Sequence, residues 1–306
     1  MAKRRGKKNL KHQLYHSIQS NFKEGMDKHS DKKNGIRSTE KVYSYADRKN
    51  LIDLAANFAN WMKENHQNIR MVRDLKSDYV QEFLNKKSIE CSSETLRNYA
   101  SRFRKLEKMI NNTYNLNIEI SNVVVPMGRN NTKKIRDVAM SIEDYKKLES
   151  TYTENSTGYI AINIARRSGL RVSEIAKLKG TDINMQEKYI QVIGGKGKKD
   201  RVIPISSEDL DYYKELKEMV GDGRCCAAQE KSISKNVNRH MKQANIKQQY
   251  ESTGLHAIRK MYAQNEFDGL REQGLSIKEA WSKVSVSLGH GPEREKLMTT
   301  YIKNIH

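Results

Sequence analysis

The amino-acid sequence predicts a mainly α-helical fold with one small antiparallel β-sheet, divided between two domains. Apolar residues recur at spacings of three and four along most of the chain, as they do on the buried face of an α-helix. Two short β-branched segments lie on either side of a glycine- and lysine-rich stretch, which is typical of a β-hairpin. A chain of 306 residues is also long enough to form two hydrophobic cores.

The first 37 residues predict a basic N-terminal arm. Lysine and arginine outnumber the acidic residues in this segment. Leu14, Ile18 and Phe22 have the spacing of one short helical face. Two interpretations stay open for residues 1–37: a solvated leader, or a dedicated contact with DNA.

Residues 38–122 predict a small helical domain. Apolar residues within 51–62 and 96–110 predict two amphipathic helices, with a shorter helix around residues 78–84. Basic side chains occupy the rest of the helix predicted at 96–110. Acidic residues are sparse there, which favours contact with a DNA backbone. The candidate DNA-binding residues of this domain are Arg97, Arg102, Arg104, Lys105 and Lys108.

Residues 123–137 predict an interdomain linker, because they combine Pro126 and Gly128 with polar residues and lack apolar periodicity. The second predicted domain comprises residues 138–306. Ser141 is expected to cap its first helix, since a serine before an acidic residue and a new apolar stripe is a typical helix start.

The second domain combines helices with the predicted hairpin. Residues 159–167 predict an apolar helix that ends at Gly169, and residues 173–178 begin another helix. Residues 189–193 and 201–205 are the two predicted strands, and the tip between them is strongly basic. Further candidate DNA contacts at this tip are Lys198 and Lys199.

The charge of the chain indicates a polyanionic partner. Lysine and arginine number 57 against 37 acidic residues, so the net charge is +20 and the long-range field favours nucleic acid. The basic charge has two alternative explanations: the protein could bind an anionic membrane, or it could carry an excess of positive charge as ribosomal proteins do. A hydrophobic content of 36% and the helical periodicity instead indicate a folded, enzyme-sized protein.

Several other classes of protein do not fit the sequence. Its three cysteines, an odd number that includes an adjacent pair, suit neither a disulfide framework nor a zinc site and indicate a reducing compartment. No H-E-x-x-H, C-x-x-C or P-loop motif is present, so neither a metal nor a nucleotide cofactor is expected. No apolar run is long enough to span a bilayer. The expected location is the cytoplasm, in association with the nucleoid.

Four short motifs in a fixed order carry the candidate chemistry. Residues 168–174 read Ser-Gly-Leu-Arg-Val-Ser-Glu, and residues 195–201 read Gly-Lys-Gly-Lys-Lys-Asp-Arg. His-Ala-Ile-Arg follows at 256–259, and Leu-Gly-His at 288–290 precedes Tyr301. Each motif alone is weak, but their order and spacing resemble those of the tyrosine recombinases and phage integrases. The resemblance covers nearly the whole second domain, and the basic helical domain ahead of it is similar to the core-binding domain of that family.

The resemblance implies a tyrosine-recombinase catalytic domain that cuts and rejoins DNA without a cofactor. Tyr301 would attack the phosphodiester and form a 3′-phosphotyrosyl link, which conserves the bond energy for resealing. Arg171 and Arg259 would offer paired N–H groups to the nonbridging oxygens, on which negative charge builds during the attack.

The resemblance also implies roles for four other residues. His256 is the implied base for the Tyr301 proton, and His290 is the family's second histidine, able to donate to the phosphate. Lys196 would protonate the departing 5′ oxygen as a general acid. Glu174 would orient its neighbours without reacting.

The sequence departs from the usual pattern of the family in the region before Tyr301. The interval of eleven residues between His290 and Tyr301 is longer than usual in the family. The segment 264–287, between the last two motifs, is also longer than usual. The implied function is site-specific recombination that integrates or excises a mobile element. The alternatives are a type IB topoisomerase, which relaxes DNA as a monomer, and a non-catalytic DNA-binding relative. Expected partners are double-stranded DNA, three further copies of the chain in a homotetramer on paired sites, and accessory DNA-bending or directionality proteins.

Overall fold

A computed structural model shows a chain that divides into two compact units, residues 1–133 and 134–306. The fold is mainly helical and includes a three-stranded antiparallel sheet, which confirms the predicted fold class. The structure describes residues 9–36, 41–129, 138–195, 200–250, 253–292 and 294–305.

The first unit has a helical core built around aromatic rings. The ring of Phe58 meets those of Phe83 and Phe103 edge to face, at centroid distances of 5.4 and 5.1 Å. These rings come from the predicted amphipathic stretches, and all three are fully buried. The helices of the described part of this unit are α1 (Leu10–Ser20), α2 (Lys28–Lys33), α3 (Tyr45–Asn65), α4 (Ser77–Ser88) and α5 (Ser93–Tyr114).

Helix α1 belongs to this core, although residues 1–37 were expected to form a separate arm. Leu14 and Ile18 are fully buried, and α1 packs against α3 and α5. The Asn21 amide, just after α1, donates to the Thr113 hydroxyl near the end of α5 at 3.0 Å. The short apolar face seen in the sequence therefore covers the core, and deletion of the whole arm would expose it. Residues 1–8 and 37 lie outside the described residues.

The first half of the expected linker lies along the first unit. The Gln81 carboxamide accepts from the Val124 N–H at 2.8 Å and donates to the Val124 carbonyl at 2.9 Å. A Cβ atom at Gly128 would stand 2.4 Å from the Cys91 carbonyl oxygen, so this close approach of two backbones requires glycine. Residues 130–137 lie outside the described residues.

The second unit surrounds a small sheet with helices. Ser141 caps its first helix, as predicted, by accepting from the Asp144 N–H at 3.1 Å. The strands pair in the order β1-β2-β3, and Ile190 stands opposite both Ile183 and Ile203. The described elements are α6 (Ile142–Glu149), α7 (Thr157–Ser168), α8 (Val172–Ile175), β1 (Ile183–Asn184), β2 (Tyr189–Val192), β3 (Arg201–Pro204), α9 (Leu210–Val220), α10 (Glu230–Gln243), α11 (Leu255–Glu272), α12 (Ile277–Ser287) and α13 (Met298–Tyr301).

The two predicted strands are β2 and β3, and the two predicted helices of this region are α7 and α8. The sequence did not indicate β1, because a strand of two residues has no readable alternation. Helix α11 packs along α7 and against α12. This packing brings the start of α11, the turn after α7 and the end of α12 together, and the candidate site lies there.

Candidate active site

The turn after α7 places Arg171. Helix α7 ends at Gly169 in a left-handed conformation with φ of +59°, and a Cβ atom there would come within 2.2 Å of the Tyr262 ring. Two residues later Arg171 precedes α8. The Glu174 carboxylate accepts from the Arg171 N–H at 2.8 Å and from its guanidinium Nη1 at 2.9 Å, which fixes the backbone and the side chain together.

Arg201, at the start of β3, completes the support of Arg171. Its Nη1 and Nη2 donate to the two oxygens of Glu174 at 2.9 and 2.8 Å, and its Nε donates to the Ser287 carbonyl at 2.8 Å. Burial alone would raise the pKa of Glu174, but these bonds and those from Arg171 hold it at about 2. Glu174 is therefore ionised at neutral pH and bonds both Arg171 and Arg201.

Arg201 received no role in the sequence analysis, although it ends the motif at 195–201. A single sequence does not show whether an arginine at the start of a strand bonds other residues of the site or is exposed to solvent. The structure also explains the glycine of the Leu-Gly-His motif. Gly289 has φ of +69°, and a Cβ atom there would stand 3.1 Å from Nη1 of Arg201 and 3.3 Å from Nη1 of Arg171.

Arg259 lies in the first turns of α11 and is 1% exposed. Its guanidinium donates to the carbonyls of Gly169 and Leu288, the latter at 2.6 Å, so it joins the ends of α7 and α12. Burial lowers the pKa of Arg259 to about 10, which leaves the group cationic at neutral pH. Within the described part of the chain, Nε of Arg259 and Nη2 of Arg171 are buried without a hydrogen-bond partner.

Tyr301 meets both predicted histidines. Its hydroxyl is 3.1 Å from Nε2 of His290, and the His256 ring stands edge to face with its ring at a centroid distance of 5.5 Å. The Arg259 guanidinium lies 5.9 Å from the centre of the same ring. The structure therefore brings five of the predicted residues together: Arg171, His256, Arg259, His290 and Tyr301.

The long interval before Tyr301 is accommodated by two short helical turns. A 3₁₀ turn at Glu295–Leu297 leads directly into α13, which ends at Tyr301. Tyr301 is 5% exposed. After it, the Gln264 carboxamide accepts from the N–H groups of Lys303 and Asn304 and donates to the Asn304 carbonyl, which fixes the chain along α11. No sequence motif marks Gln264, because its partners are backbone atoms.

A cleft of about 510 Å³ in the second unit is lined by Arg171, His256, Arg259, His290 and Tyr301. Helix α10 forms another of its walls and contributes Glu230, Ser234 and Asn238. The side-chain carboxamide oxygen of Asn238, Oδ1, is buried and has no hydrogen-bond partner among the described residues. Cationic donors beside a tyrosine hydroxyl that is already bonded to an imidazole can stabilise an anionic oxygen while the phenol loses its proton.

The predicted lysines of the hairpin, Lys196, Lys198 and Lys199, lie outside the described residues. The base of the hairpin is described, and there the Gly194 N–H donates to the Asp200 carboxylate at 2.7 Å.

The basic residues of α5 differ in exposure. Arg97, Arg104 and Lys108 are exposed, and Arg102 is half-buried. Lys105, also predicted to bind DNA, is instead 9% exposed and pairs with the Asp47 carboxylate at 2.5 Å. Lys105 lies on the same buried side of α5 as the apolar residues. Its ammonium group therefore faces Asp47 of α3 and not the surface.

We expect Lys105 and Lys108 to respond differently to substitution by alanine. Lys105→Ala leaves Asp47 without its partner and should lower the free energy of unfolding by roughly 1–3 kcal/mol, measured by urea denaturation. Lys108→Ala should leave stability unchanged but reduce the salt dependence of DNA affinity by about one in the log–log slope. An unchanged slope for Lys108→Ala would remove that residue from the DNA contact.

In the part of the chain that the structure describes, no helix is long and apolar enough to cross a membrane. The same residues contain no cluster of three or more His, Cys, Asp or Glu side chains arranged to hold a metal ion.

Comparison with known proteins gives one family. Residues 143–280 match the phage integrase family. A tyrosine recombinase of Pseudothermotoga lettingae is 28% identical over 148 residues, which are 46% of this chain and 51% of the relative. The tyrosine recombinase XerA of Thermococcus kodakarensis is 30% identical over 174 residues, 54% of this chain and 56% of the relative. The chain thus spans about half the length of these two curated relatives.

Solved structures show the same fold over nearly the whole chain. The Tn1549 transposon integrase in complex with transposon right end DNA aligns with a TM-score of 0.61 at 14% identity, covering 97% of this chain and 96% of that one. The XerH site-specific recombinase in its post-cleavage complex aligns with a TM-score of 0.59 at 15% identity, covering 94% and 92%. At these identities the likeness concerns the fold.

The fold and the site define a helical protein with a tyrosine, two histidines and two arginines gathered beside a small sheet. Residues 143–280 thus resemble the phage integrase family, as the motifs indicated, and about half of the chain is similar to curated tyrosine recombinases.

Proposed function

We propose that this protein is a site-specific DNA recombinase, which cleaves and rejoins DNA through a 3′-phosphotyrosyl intermediate on Tyr301. One observation carries the proposal. The Tyr301 hydroxyl, bonded to His290 at 3.1 Å, opens on the same cleft as Arg171 and Arg259. The match of residues 143–280 to the phage integrase family supports the activity, and the net charge of +20 supports DNA as the substrate.

The two arginines suit a phosphodiester. Each guanidinium is held by bonds to the protein and keeps a further buried nitrogen, Nη2 of Arg171 and Nε of Arg259, without a partner among the described residues. Buried N–H groups without partners are costly, so a bound anion that accepts from them is favoured. As the tyrosine oxygen attacks, charge grows on the nonbridging phosphate oxygens, and these fixed donors stabilise it.

The geometry suggests a change in the roles expected for the histidines. His290 holds the hydrogen bond to the Tyr301 hydroxyl, so in the tautomer with an unprotonated Nε2 it is the group nearest to the leaving proton. His256 lines the cleft but stands edge-on to the Tyr301 ring. We therefore assign the Tyr301 proton to His290 and a hydrogen bond to the phosphate to His256.

Strand exchange between two sites requires several copies of the chain, so we propose a homotetramer on paired sites, assisted by accessory DNA-bending or directionality proteins. Integration or excision of a mobile element, at the nucleoid, fits this activity. The first unit, with Arg97, Arg104 and Lys108 exposed on α5, is proposed to contact the DNA backbone. A type IB topoisomerase is the alternative, and it would relax supercoiled DNA without joining strands of different duplexes.

The test begins with DNA trapped in cells. Cells that express the protein are lysed in denaturant, and DNA fragments that stay attached to it are recovered and sequenced to find the core site. A duplex with that site and a nick beside the cleavage position, here termed the nicked core-site duplex, then accumulates the covalent adduct. We expect peptide mapping to find the phosphate on Tyr301 and paired sites to recombine. Relaxation without recombination would favour the topoisomerase, and absence of any adduct would contradict both.

Lys196 is proposed as the general acid for the departing 5′ oxygen. We expect Lys196→Ala to cleave the nicked core-site duplex about 10²–10⁴-fold more slowly than the parent protein, because the leaving oxygen lacks a proton donor. A duplex with sulfur in place of that oxygen should restore the rate, since a thiolate departs without a proton. Lys198→Ala and Lys199→Ala are matched controls from the same tip. If the sulfur substrate rescued one of these variants and not Lys196→Ala, the role would move to that lysine.

A further inference from the structure

Lys260 is a fully buried lysine directly beside the candidate nucleophile. It follows Arg259 on α11, its side chain is 0% exposed, and its Nζ lies 5.9 Å from the centre of the Tyr301 ring. Lysine is among the residue types that proteins bury least often, because removing an ammonium group from water is costly. A position of this kind next to a reacting phenol calls for a chemical reason.

We propose that Lys260 is a positioning residue for the recombinase reaction, which favours the phenolate form of Tyr301 through the face of its ring. This inference rests on the proposed function. A cation above an aromatic ring is attracted to its π electrons, and the attraction grows when the ring carries the negative charge of a phenolate. In buried surroundings the interaction is screened far less than in water.

Lys260 differs from the arginines of the cleft in what it can reach. Arg171 and Arg259 line the cleft where the phosphate is proposed to bind. The buried side chain of Lys260 has no exposure to that space, so it acts through Tyr301 and not on the phosphate. Its effect should therefore depend on the protonation of the tyrosine.

The charged and titratable groups around Tyr301 come from two parts of the chain. His256, Arg259 and Lys260 face it from α11, at ring distances of 5.5, 5.9 and 5.9 Å. His290, after α12, accepts or donates at its hydroxyl at 3.1 Å. An ordinary imidazole loses its proton at a much lower pH than an ordinary phenol does, so the alkaline limb of a pH profile is the part that tests Lys260.

The same interaction acts in both directions of the reaction. In cleavage the Tyr301 oxygen gives its proton to the base and forms the bond to phosphorus, while the bond to the 5′ oxygen breaks and that oxygen takes a proton. In resealing the 5′ hydroxyl returns its proton to the group that supplied it and its oxygen bonds to phosphorus, while the tyrosine oxygen leaves as a phenolate and takes its proton back from the base. A cation that stabilises the phenolate accelerates the departure of tyrosine as well as its attack.

The test compares Lys260→Met with Lys260→Arg in single-turnover cleavage of the nicked core-site duplex from pH 6 to pH 10. We expect Lys260→Met to cleave about tenfold more slowly than the parent at neutral pH and to approach the parental rate at the alkaline end, where the phenolate forms unaided. Lys260→Arg, which keeps the positive charge, should stay closer to the parental profile. Thermal melting establishes that each variant is folded, and Lys260→Gln is a second neutral variant that should follow Lys260→Met.

A purely structural role for Lys260 predicts a different result. The neutral variants would then be slower by the same factor at every pH, or would cleave at the parental rate throughout, and either outcome would overturn the proposal. If the folded parent itself formed no adduct, the proposed function would fall first, and this inference with it. A parent that forms the adduct, with parallel profiles for parent and neutral variants, would overturn the role of Lys260 alone.

Discussion

Tyr301→Phe should form no covalent adduct with the nicked core-site duplex and should still bind it with nearly parental affinity. The substitution removes the attacking oxygen but keeps the ring that packs with Trp281 at a centroid distance of 6.3 Å. Its structural cost is the hydrogen bond to His290, worth about 1 kcal/mol, so the variant stays folded. Adduct formation is measured as the fraction of labelled DNA that stays attached to protein in denaturant, and binding by gel shift.

The matched control is Tyr262→Phe. Tyr262 lies on α11 and, like Tyr301, is 5% exposed, and its ring fills the space beside Gly169. Burial raises the pKa of Tyr262 above its usual value, so its phenolate is disfavoured and it is a poor nucleophile. The control should therefore form the adduct on Tyr301. An adduct on the Tyr301→Phe protein, or a phosphate mapped to Tyr262, would overturn the assignment of the nucleophile.

Arg259→Ala should slow cleavage by at least roughly 10²-fold while leaving DNA binding in place, because it removes one preorganised donor to the phosphate. Arg259→Lys should restore little of the rate. The three N–H donors of an ammonium group share one nitrogen, so they cannot replace the planar fork in which Nη1 and Nη2 bond the carbonyls of Gly169 and Leu288 and Nε keeps a further fixed donor. Because burial lowers the pKa of Arg259 only to about 10, the parent carries this charge throughout the neutral range. The loss should therefore be similar at pH 6 and pH 8, measured in single turnovers.

Arg224→Ala separates the chemical effect from a general loss of structure. Arg224 also donates to two backbone carbonyls, those of Ala176 and Ala228, but it does not line the cleft. The folded Arg224→Ala protein should cleave at a rate close to that of the parent. Equal rates for folded Arg259→Ala and the parent would show that Arg259 does not stabilise the transition state.

The sequence by itself determined most of the helices and strands. Through the resemblance of its motifs to those of the tyrosine recombinases, it also determined which residues were expected in the site. Helices α6 and α7 could be predicted because apolar residues recur along them and a capping residue marks one end of each, Ser141 for α6 and Gly169 for α7. The order of the motifs placed Arg171, Arg259, His290 and Tyr301 together before any distance was known. Residue types and their order are local properties, and one chain is sufficient to read them.

Only the tertiary structure decided which way the side chains face. Lys105 and Lys108 lie on the same helix and look alike in the sequence, yet one pairs with Asp47 at the core and the other is exposed, because the neighbouring α3 covers only one side of α5. The same holds for α1, which becomes part of the first core and is held there through hydrogen bonds to residues 92 and 101 positions away.

Long-range contacts also decided the support of the site. Arg201 reaches Glu174 across 27 positions of the chain, and Arg259 reaches the carbonyl of Gly169 across 90. Lys260 reaches the Tyr301 ring from another helix. Hydrogen bonds and ring contacts of this kind depend on packing between elements, which no local pattern encodes, whereas the reactive groups themselves follow from residue type and order.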